Sequence, residues 1–352
     1  MALVVDSAEF GGAERYVVHL IERLSERWTP TLLTTAPVLQ ELAEPVRARG
    51  GQVLVVPAVG GKADVRGVTG LVRALRRADP ALVHVNLNTI ANNRHALALA
   101  ALMYPTVATL HIGSAIDSRV QRLILRAAFS RLSRVIAVSG EIEQQLHDEL
   151  RVGSRRTTVI ANGVEEAPPV TVRPTPHPLR VGGLGRLTRQ KGFDVLVDAV
   201  RLLTEDDREL EVVIAGEGPE RPQLEAAAAG LPIAFPGRVA DPGAFLSTLD
   251  VFCLPSRWEG LPFALLEAMV RGLPCIASPV GDIADAVADA ADLVAPEDAH
   301  ALAVALATLE DSADRRRALG AAARARVLTR HSVAGMVAHT EAVYDEALPP
   351  WT

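Results

Sequence analysis

Short β-branched apolar runs alternate with longer stretches of mixed polarity from the first residue of the chain onward. A first series reads ALVVD, PTLLTT, QVLVVP, ALVHVN, TVATLH, RVIAVS and TTVIANG. Helical spacing fills the intervals, including 12–26, 64–78, 90–101, 116–132 and 139–149. Near-continuous apolar strands separated by helices predict a parallel sheet covered on both faces. A second series of the same kind runs through LRVGGLG, LEVVIAG, PIAFPG, DVFCLP, PCIAS and ADLVAP, with helices predicted over 192–203, 220–229 and 241–249. Three closing helices are predicted over 297–309, 312–329 and 332–347. Between the series, VEEAPPVTVRPTPHP at 164–178 holds five prolines and no periodicity, which suits a linker. The pattern therefore predicts an α/β chain of two parallel-sheet domains, 1–163 and 179–331, followed by a helical segment at 332–352.

A chain of 352 residues can bury two cores of ordinary size, and 49% hydrophobic with 22% charged residues is ordinary globular composition. The net charge of -6 argues against a nucleic-acid partner, which needs a basic face. Cys253 and Cys275 fall inside apolar strands and are expected as buried thiols, with a disulfide formally open to them. MALVVDS is already a strand, and no segment approaches the roughly 20 apolar residues of a membrane span. A cytoplasmic protein is expected, with at most peripheral contact at the inner membrane face.

The most informative stretch is VFCLPSRWEGLPFALLEAMVRGLPCIASPVG, residues 251–281. It reads as strand Val251 to Leu254, a polar loop, a helix with Pro262 near its start, a stop at Gly272, and strand Cys275 to Ala277. The loop leaving the first strand lies at the carboxyl edge of the sheet, and the N–H groups of Gly260, Leu261, Pro262's neighbour Phe263 and the helix start suit an anion. Glu259 and Glu267 frame that position. Carboxylates repel phosphate but accept hydrogen bonds from hydroxyls, so phosphate together with a polyol implies a nucleotide sugar. The competing readings are a solvated loop residue for Glu259 and a dipole-matched helix-start residue for Glu267.

Other strand ends add candidates. Arg186 and Lys191 in GLGRLTRQKG sit at a strand-to-helix loop, where basic residues are unfavourable without an anion. Arg189 between them is expected to be solvated. Gly11 and Gly12 precede a helix and permit close backbone approach, without the G-x-G-x-x-G spacing of a dinucleotide site. Gly216, Arg238 and Val239 fall at further carboxyl-edge turns. His111 ends a strand of the first domain, and His84, Asn86 and Arg15 are candidates for the acceptor side, with Asn88 behind them. No C-x-x-C, H-E-x-x-H or D-x-D set suits a metal, so neither metal nor cofactor is expected. Arg119, Arg122 and Arg126 share one helix face; it reads as a solvated face over a core of Leu123, Ile124 and Phe129, with anionic lipid or an anionic acceptor as the alternative.

The E-x7-E pair within PSRWEGLPFALLEAM, together with GRLTRQKG and GGAERY, resembles the retaining glycosyltransferases of family 4, whose fold is GT-B. The resemblance spans nearly the whole chain and is densest over 182–281. It implies two Rossmann-like parallel-sheet domains facing a central cleft, the first binding the acceptor and the second the nucleotide sugar, with the last helix crossing back to the first domain. It places Arg186 and Lys191 on the donor diphosphate, Glu267 on the ribose, and Glu259 on sugar hydroxyls near the reacting carbon. His111 would lie near the sugar's 6-hydroxyl, Gly11 and Gly12 near the diphosphate, and Gly216, Arg238 and Val239 in the nucleotide pocket. The implied activity is metal-independent transfer from a nucleoside-diphosphate sugar, UDP ahead of GDP, to a hydroxyl of a lipid carrier, glycan or small natural product. A 2-epimerase of the same fold and a nucleotide-sugar-binding protein without turnover are the alternatives.

Overall fold

The computed structural model describes residues 1–7, 10–35, 38–57, 64–90, 92–116, 118–171 and 178–348. Ala8 and Glu9 of the loop DSAEF, Ala91, Asp117, linker residues 172–177 and the last residues 349–352 lie outside the described residues. The chain divides into two units, Met1–Gly163 with Val333–Thr352, and Val164–Ser332.

In unit 1 the strands are β1 (Ala2–Val5), β2 (Thr31–Thr34), β3 (Gln52–Val55), β4 (Val83–Thr89), β5 (Thr106–Ile112), β6 (Arg134–Ala137) and β7 (Thr157–Val159). The helices between them are α1 (Gly12–Arg23), α2 (Leu39–Ala48), α3 (Val65–Ala78), α4 (Arg94–Met103), α5 (Arg119–Phe129) and α6 (Gly140–Leu150). All strands are parallel, in the order β3-β2-β1-β4-β5-β6-β7. The central strands are buried on both faces, as their unbroken apolar runs require.

Unit 2 contains β8 (Leu179–Leu184), β9 (Leu210–Ala215), β10 (Ile233–Gly237), β11 (Val251–Leu254), β12 (Cys275–Ala277) and β13 (Asp292–Leu293). Its helices are α7 (Phe193–Glu205), α8 (Arg221–Ala227), α9 (Pro242–Leu246), α10 (Phe263–Val270), α11 (Ile283–Val287), α12 (Ala299–Asp311) and α13 (Ala313–Arg330). This sheet is also parallel, ordered β10-β9-β8-β11-β12-β13. Cys253 and Cys275 are buried free thiols on its neighbouring strands β11 and β12, and burial pushes both thiols well up.

Two connections tie sequence-distant segments together. The linker begins bonded to unit 2, Val164 bridging Ser332 and the Val170 N–H donating to the Arg271 carbonyl at 2.7 Å. The final helix, α14 (Val333–Ala347), packs in unit 1 against α1, β5 and β6. Tyr344 on it lies edge-on to Trp28, ring centroids 5.2 Å apart, and Thr340 meets the Tyr16 hydroxyl at 3.2 Å.

Helix α10 ends in a Schellman motif: Gly272, at φ +71, donates to Met269 at 2.9 Å and Leu273 to Ala268 at 3.2 Å. Against this cap sits Gly320 of α13, where an added Cβ would lie 2.0 Å from the Gly272 carbonyl oxygen. A backbone oxygen held by the cap cannot move aside. Gly320→Ala is therefore expected to destabilise unit 2 by about 2 kcal/mol or more, in the upper range for overpacking, read as a lowered urea midpoint.

Candidate active site

In unit 2 the strand order reverses between β8 and β11, which pair through Val181 with Val251 and Gly182 with Phe252. Loops leaving two such strands diverge and open a crevice at the carboxyl edge, where open α/β sheets take ligands. The loop after β8 carries Arg186 and Lys191; the loop after β11 carries Glu259. Lys191 Nζ and Glu259 Oε1 meet at 2.6 Å, with side-chain exposures of only 15% and 5%. Ser256 Oγ donates to the same carboxylate oxygen at 2.8 Å, and Gln190 Nε2 reaches Oε2 at 3.4 Å. An ammonium has three donors and one is committed to Glu259, so the others can serve an anion.

The two loops are held against each other by Arg257. Its guanidinium forms a two-pronged pair with Asp194 at 2.8 and 2.7 Å, donates to Glu297 at 2.7 Å, and reaches the Arg189 carbonyl at 2.9 Å. Its backbone N–H bonds the Gln190 carbonyl at 2.7 Å. The Arg257 fork holds the Asp194 carboxyl below the usual carboxylate range. Gly192 completes the turn at φ +65, with its α-carbon face so close to the Pro255 carbonyl that a Cβ would lie 2.0 Å from it.

The remaining unit 2 candidates are distributed along the same edge. Arg186 is exposed just beyond β8, and Arg189 is exposed as well. Pro262 is the N-cap of α10, and Gly260, Leu261 and Phe263 are buried around it. Glu267 is half-buried in the second turn of α10, so its placement is not that of a first-turn acid matched to the helix dipole. Gly216, at φ +146, has no room for a side chain because the Gly185 carbonyl would lie 1.8 Å from its Cβ. Arg238 is exposed and Val239 half-buried beyond the edge strand β10.

Unit 1 reverses strand order between β1 and β4. Gly11 is the N-cap of α1, and its N–H donates to Glu14 Oε2 at 2.8 Å, half of a capping box. Asn88 Nδ2 donates to the other oxygen of this buried carboxylate at 3.2 Å. Gly12 is exposed and Arg15 half-buried on α1.

His111, near the end of β5, is 6% exposed and stacks edge-on against Tyr16 at 4.9 Å. Its Nε2 lies 2.8 Å from Asn86 Oδ1, while Asn86 Nδ2 donates to the Ala13 carbonyl at 3.2 Å. The Ala13 bond fixes the amide orientation, so Oδ1 is an acceptor and His111 carries its proton on Nε2. Burial, and secondly the neighbouring His84, lowers the His111 pKa to about 3. The ring is thus neutral at ordinary pH, with Nδ1 as an acceptor.

His84 and Asn86 do not line an acceptor surface, a correction to the sequence reading. His84 lies second in β4 rather than at its end and is fully buried; Nδ1 meets the Tyr344 hydroxyl at 2.6 Å and Nε2 meets Thr109 Oγ1 at 2.8 Å. Burial lowers its pKa to about 3 as well. Asn86 is 2% exposed, with both ends of its amide bonded within unit 1. Sequence reasoning also passed over Arg257, Ser256, Gln190 and Glu14. The S-x-x-E spacing of Ser256 and Glu259 and the G-x-x-E of Gly11 and Glu14 were the available signals; Arg257 had none, because Asp194 and Glu297 lie far away in the chain.

Comparison with known proteins bears on the family and the fold. A model of "Glycosyltransferase Family 4" matches residues 10–167, and one of "Glycosyl transferases group 1" matches residues 178–312. The GDP-mannose-dependent alpha-(1-6)-phosphatidylinositol dimannoside mannosyltransferase of Mycobacterium tuberculosis is 32% identical over 168 residues, 47% of this chain and 44% of its own. The lipopolysaccharide core mannosyltransferase LpsB of Rhizobium meliloti is 30% identical over 181 residues, 48% of this chain and 52% of its own. The chain thus spans about half the length of the curated relatives it matches. A glycosyltransferase from Rickettsia africae superposes with a TM-score of 0.83 at 18% identity, covering 99% of this chain and 98% of that one. The two parallel-sheet units and this likeness give the fold as GT-B. With one family model over each unit, the chain belongs to glycosyltransferase family 4, the group 1 glycosyl transferases.

Proposed function

We propose that this protein transfers a sugar from a nucleoside-diphosphate sugar to a hydroxyl acceptor, with retention of anomeric configuration and without a metal ion. The observation that carries the reading is the Lys191–Glu259 pair at the β8/β11 reversal. As the glycosidic bond breaks, negative charge grows on the departing diphosphate, and a fixed ammonium there lowers the barrier. In this reading Arg186 and the N–H groups opening α10 share that charge. Glu259, already oriented by Ser256 and Gln190, accepts from sugar hydroxyls, Glu267 accepts from the ribose, and His111 offers Nδ1 to a further hydroxyl. With Glu259 and Glu267 given to sugar and ribose hydroxyls, no carboxylate is assigned as a covalent nucleophile, and the reading is same-face attack with the leaving phosphate taking the acceptor's proton.

GDP-mannose heads the donor candidates, ahead of the uridine donors expected from sequence, because the Mycobacterium tuberculosis relative is named for it. Phosphatidylinositol mannosides and lipopolysaccharide cores head the acceptors for the same reason. The test measures nucleoside-diphosphate release from a panel of nucleotide sugars, with and without acceptors and with and without EDTA, and follows the product anomer by NMR. Acceptor-dependent release unaffected by EDTA, with an anomer matching the donor, is expected. An epimerised sugar, or binding without release, would replace this reading by an epimerase or a binding protein.

A further inference from the structure

Helix α5 departs from its sequence reading. Leu123 and Ile124 were expected in the core beside Phe129, but they are 63% and 50% exposed, and Val120 is 64% exposed. These three lie at i, i+3 and i+4 and make one outward stripe, while Leu125, Ala128 and Phe129 face inward. Leu102 on the adjoining α4 is also 61% exposed.

Charge favours an anionic cover for this surface. The chain carries a net charge of -6, yet residues 118–140 contain five arginines and no acid. Glu149 of α6 meets Arg122 at 3.7 Å, and Glu346 of α14 meets Arg134 at 2.7 Å. Arg126 donates to the Glu149 carbonyl at 2.9 Å. Arg119 and Arg131 are exposed, with no ion pair among the described residues. By helical spacing, Arg119, Arg122 and Arg126 border the aliphatic stripe on one side. Long basic side chains beside a stripe of Val, Leu and Ile can keep their charges among headgroups while the stripe enters the acyl boundary.

We propose that the outer face of α5, extended by Leu102, docks unit 1 onto an anionic lipid bilayer. The helix lies shallowly in the interface, its aliphatic stripe buried and its arginines drawn to lipid phosphates. Only residues 113–118 separate it from β5, the strand that carries His111, so docking brings the carboxyl edge of the unit 1 sheet near the lipid surface. The proposal stands on exposure and charge and is independent of the transfer reaction.

Sedimentation of the full chain with phosphatidylcholine vesicles, with and without phosphatidylglycerol, tests it. The protein is expected to pellet with the anionic vesicles and to be released from them by salt. Leu123→Asp with Ile124→Asp, and separately Arg119→Glu with Arg131→Glu, are each expected to weaken pelleting at least about tenfold. Thermal unfolding of both variants should match the parent, since the changed side chains are exposed. Parent protein that stays in the supernatant, or variants that pellet equally well, would overturn the proposal. So would light scattering that shows a dimer in the parent and a monomer in the Leu123/Ile124 variant, because the stripe would then serve a second copy.

Discussion

Lys191→Met is expected to lower kcat by about 10^2 to 10^3-fold, the usual effect of removing one preorganised group from a developing anion. It is also expected to destabilise unit 2, because Glu259 keeps a carboxylate that is 5% exposed and has lost its counter-ion. Leaving one member of a buried pair uncompensated costs about 3 to 5 kcal/mol, moderated here by Ser256 and Gln190. The double variant Lys191→Met with Glu259→Gln separates the two effects. It should regain most of the lost stability, measured by urea unfolding, while turnover stays low. Recovery of turnover along with stability would show that Lys191 and Glu259 act only as a structural pair and would remove both from the proposed chemistry.

Asn86→Asp is expected to introduce an acid limb into the kcat profile. In the parent, His111 stays neutral down to about pH 3, so it contributes no protonation step to an assay between pH 5 and 8. A carboxylate in place of the Asn86 amide would sit beside Nε2–H, 2.8 Å away in the parent, and favour the imidazolium. Protonation removes the Nδ1 acceptor, and kcat should fall about tenfold per pH unit below the new pKa. The ¹⁵N shifts of His111 report the change directly, from a neutral Nε2–H ring to a ring protonated at both nitrogens. A profile identical to the parent's, despite a protonated ring, would show that Nδ1 accepts nothing in turnover.

The same buried histidines set a stability trend. Their folded pKa values lie below the unfolded value, so the unfolded chain binds more protons between about pH 6.5 and 3 and stability is lost as pH falls through that window. At pH 5 the loss is about 2 kcal/mol for each histidine relative to neutral pH.

Much of this architecture was legible in the order of apolar runs. The segment 251–281 shows why: β11, α10 and β12 begin and end on local signals, namely apolar strands, Pro262 at the helix start and Gly272 at its cap. Other assignments depended on contacts the pattern does not encode. Apolar residues surround most of α5, so periodicity selects no single inward face, and Leu123 and Ile124 were assigned to the core when α4 and α6 cover the opposite side. His84 resembled a strand-end polar residue because its partner Tyr344 lies 260 positions away.

By itself the sequence determined the α/β class, the parallel sense of the strands, the loops in which Arg186, Lys191 and Glu259 would lie and the helix that carries Glu267, because these follow from periodicity and from turn and cap chemistry within a few residues. Strand order was decided only in three dimensions. β8 and β11 are interchangeable with other apolar strands until the helices pack, and their adjacency is what closes a 68-residue separation into a 2.6 Å ion pair. The His111 tautomer was decided there too, since it depends on an amide whose orientation is set by a carbonyl on a third element.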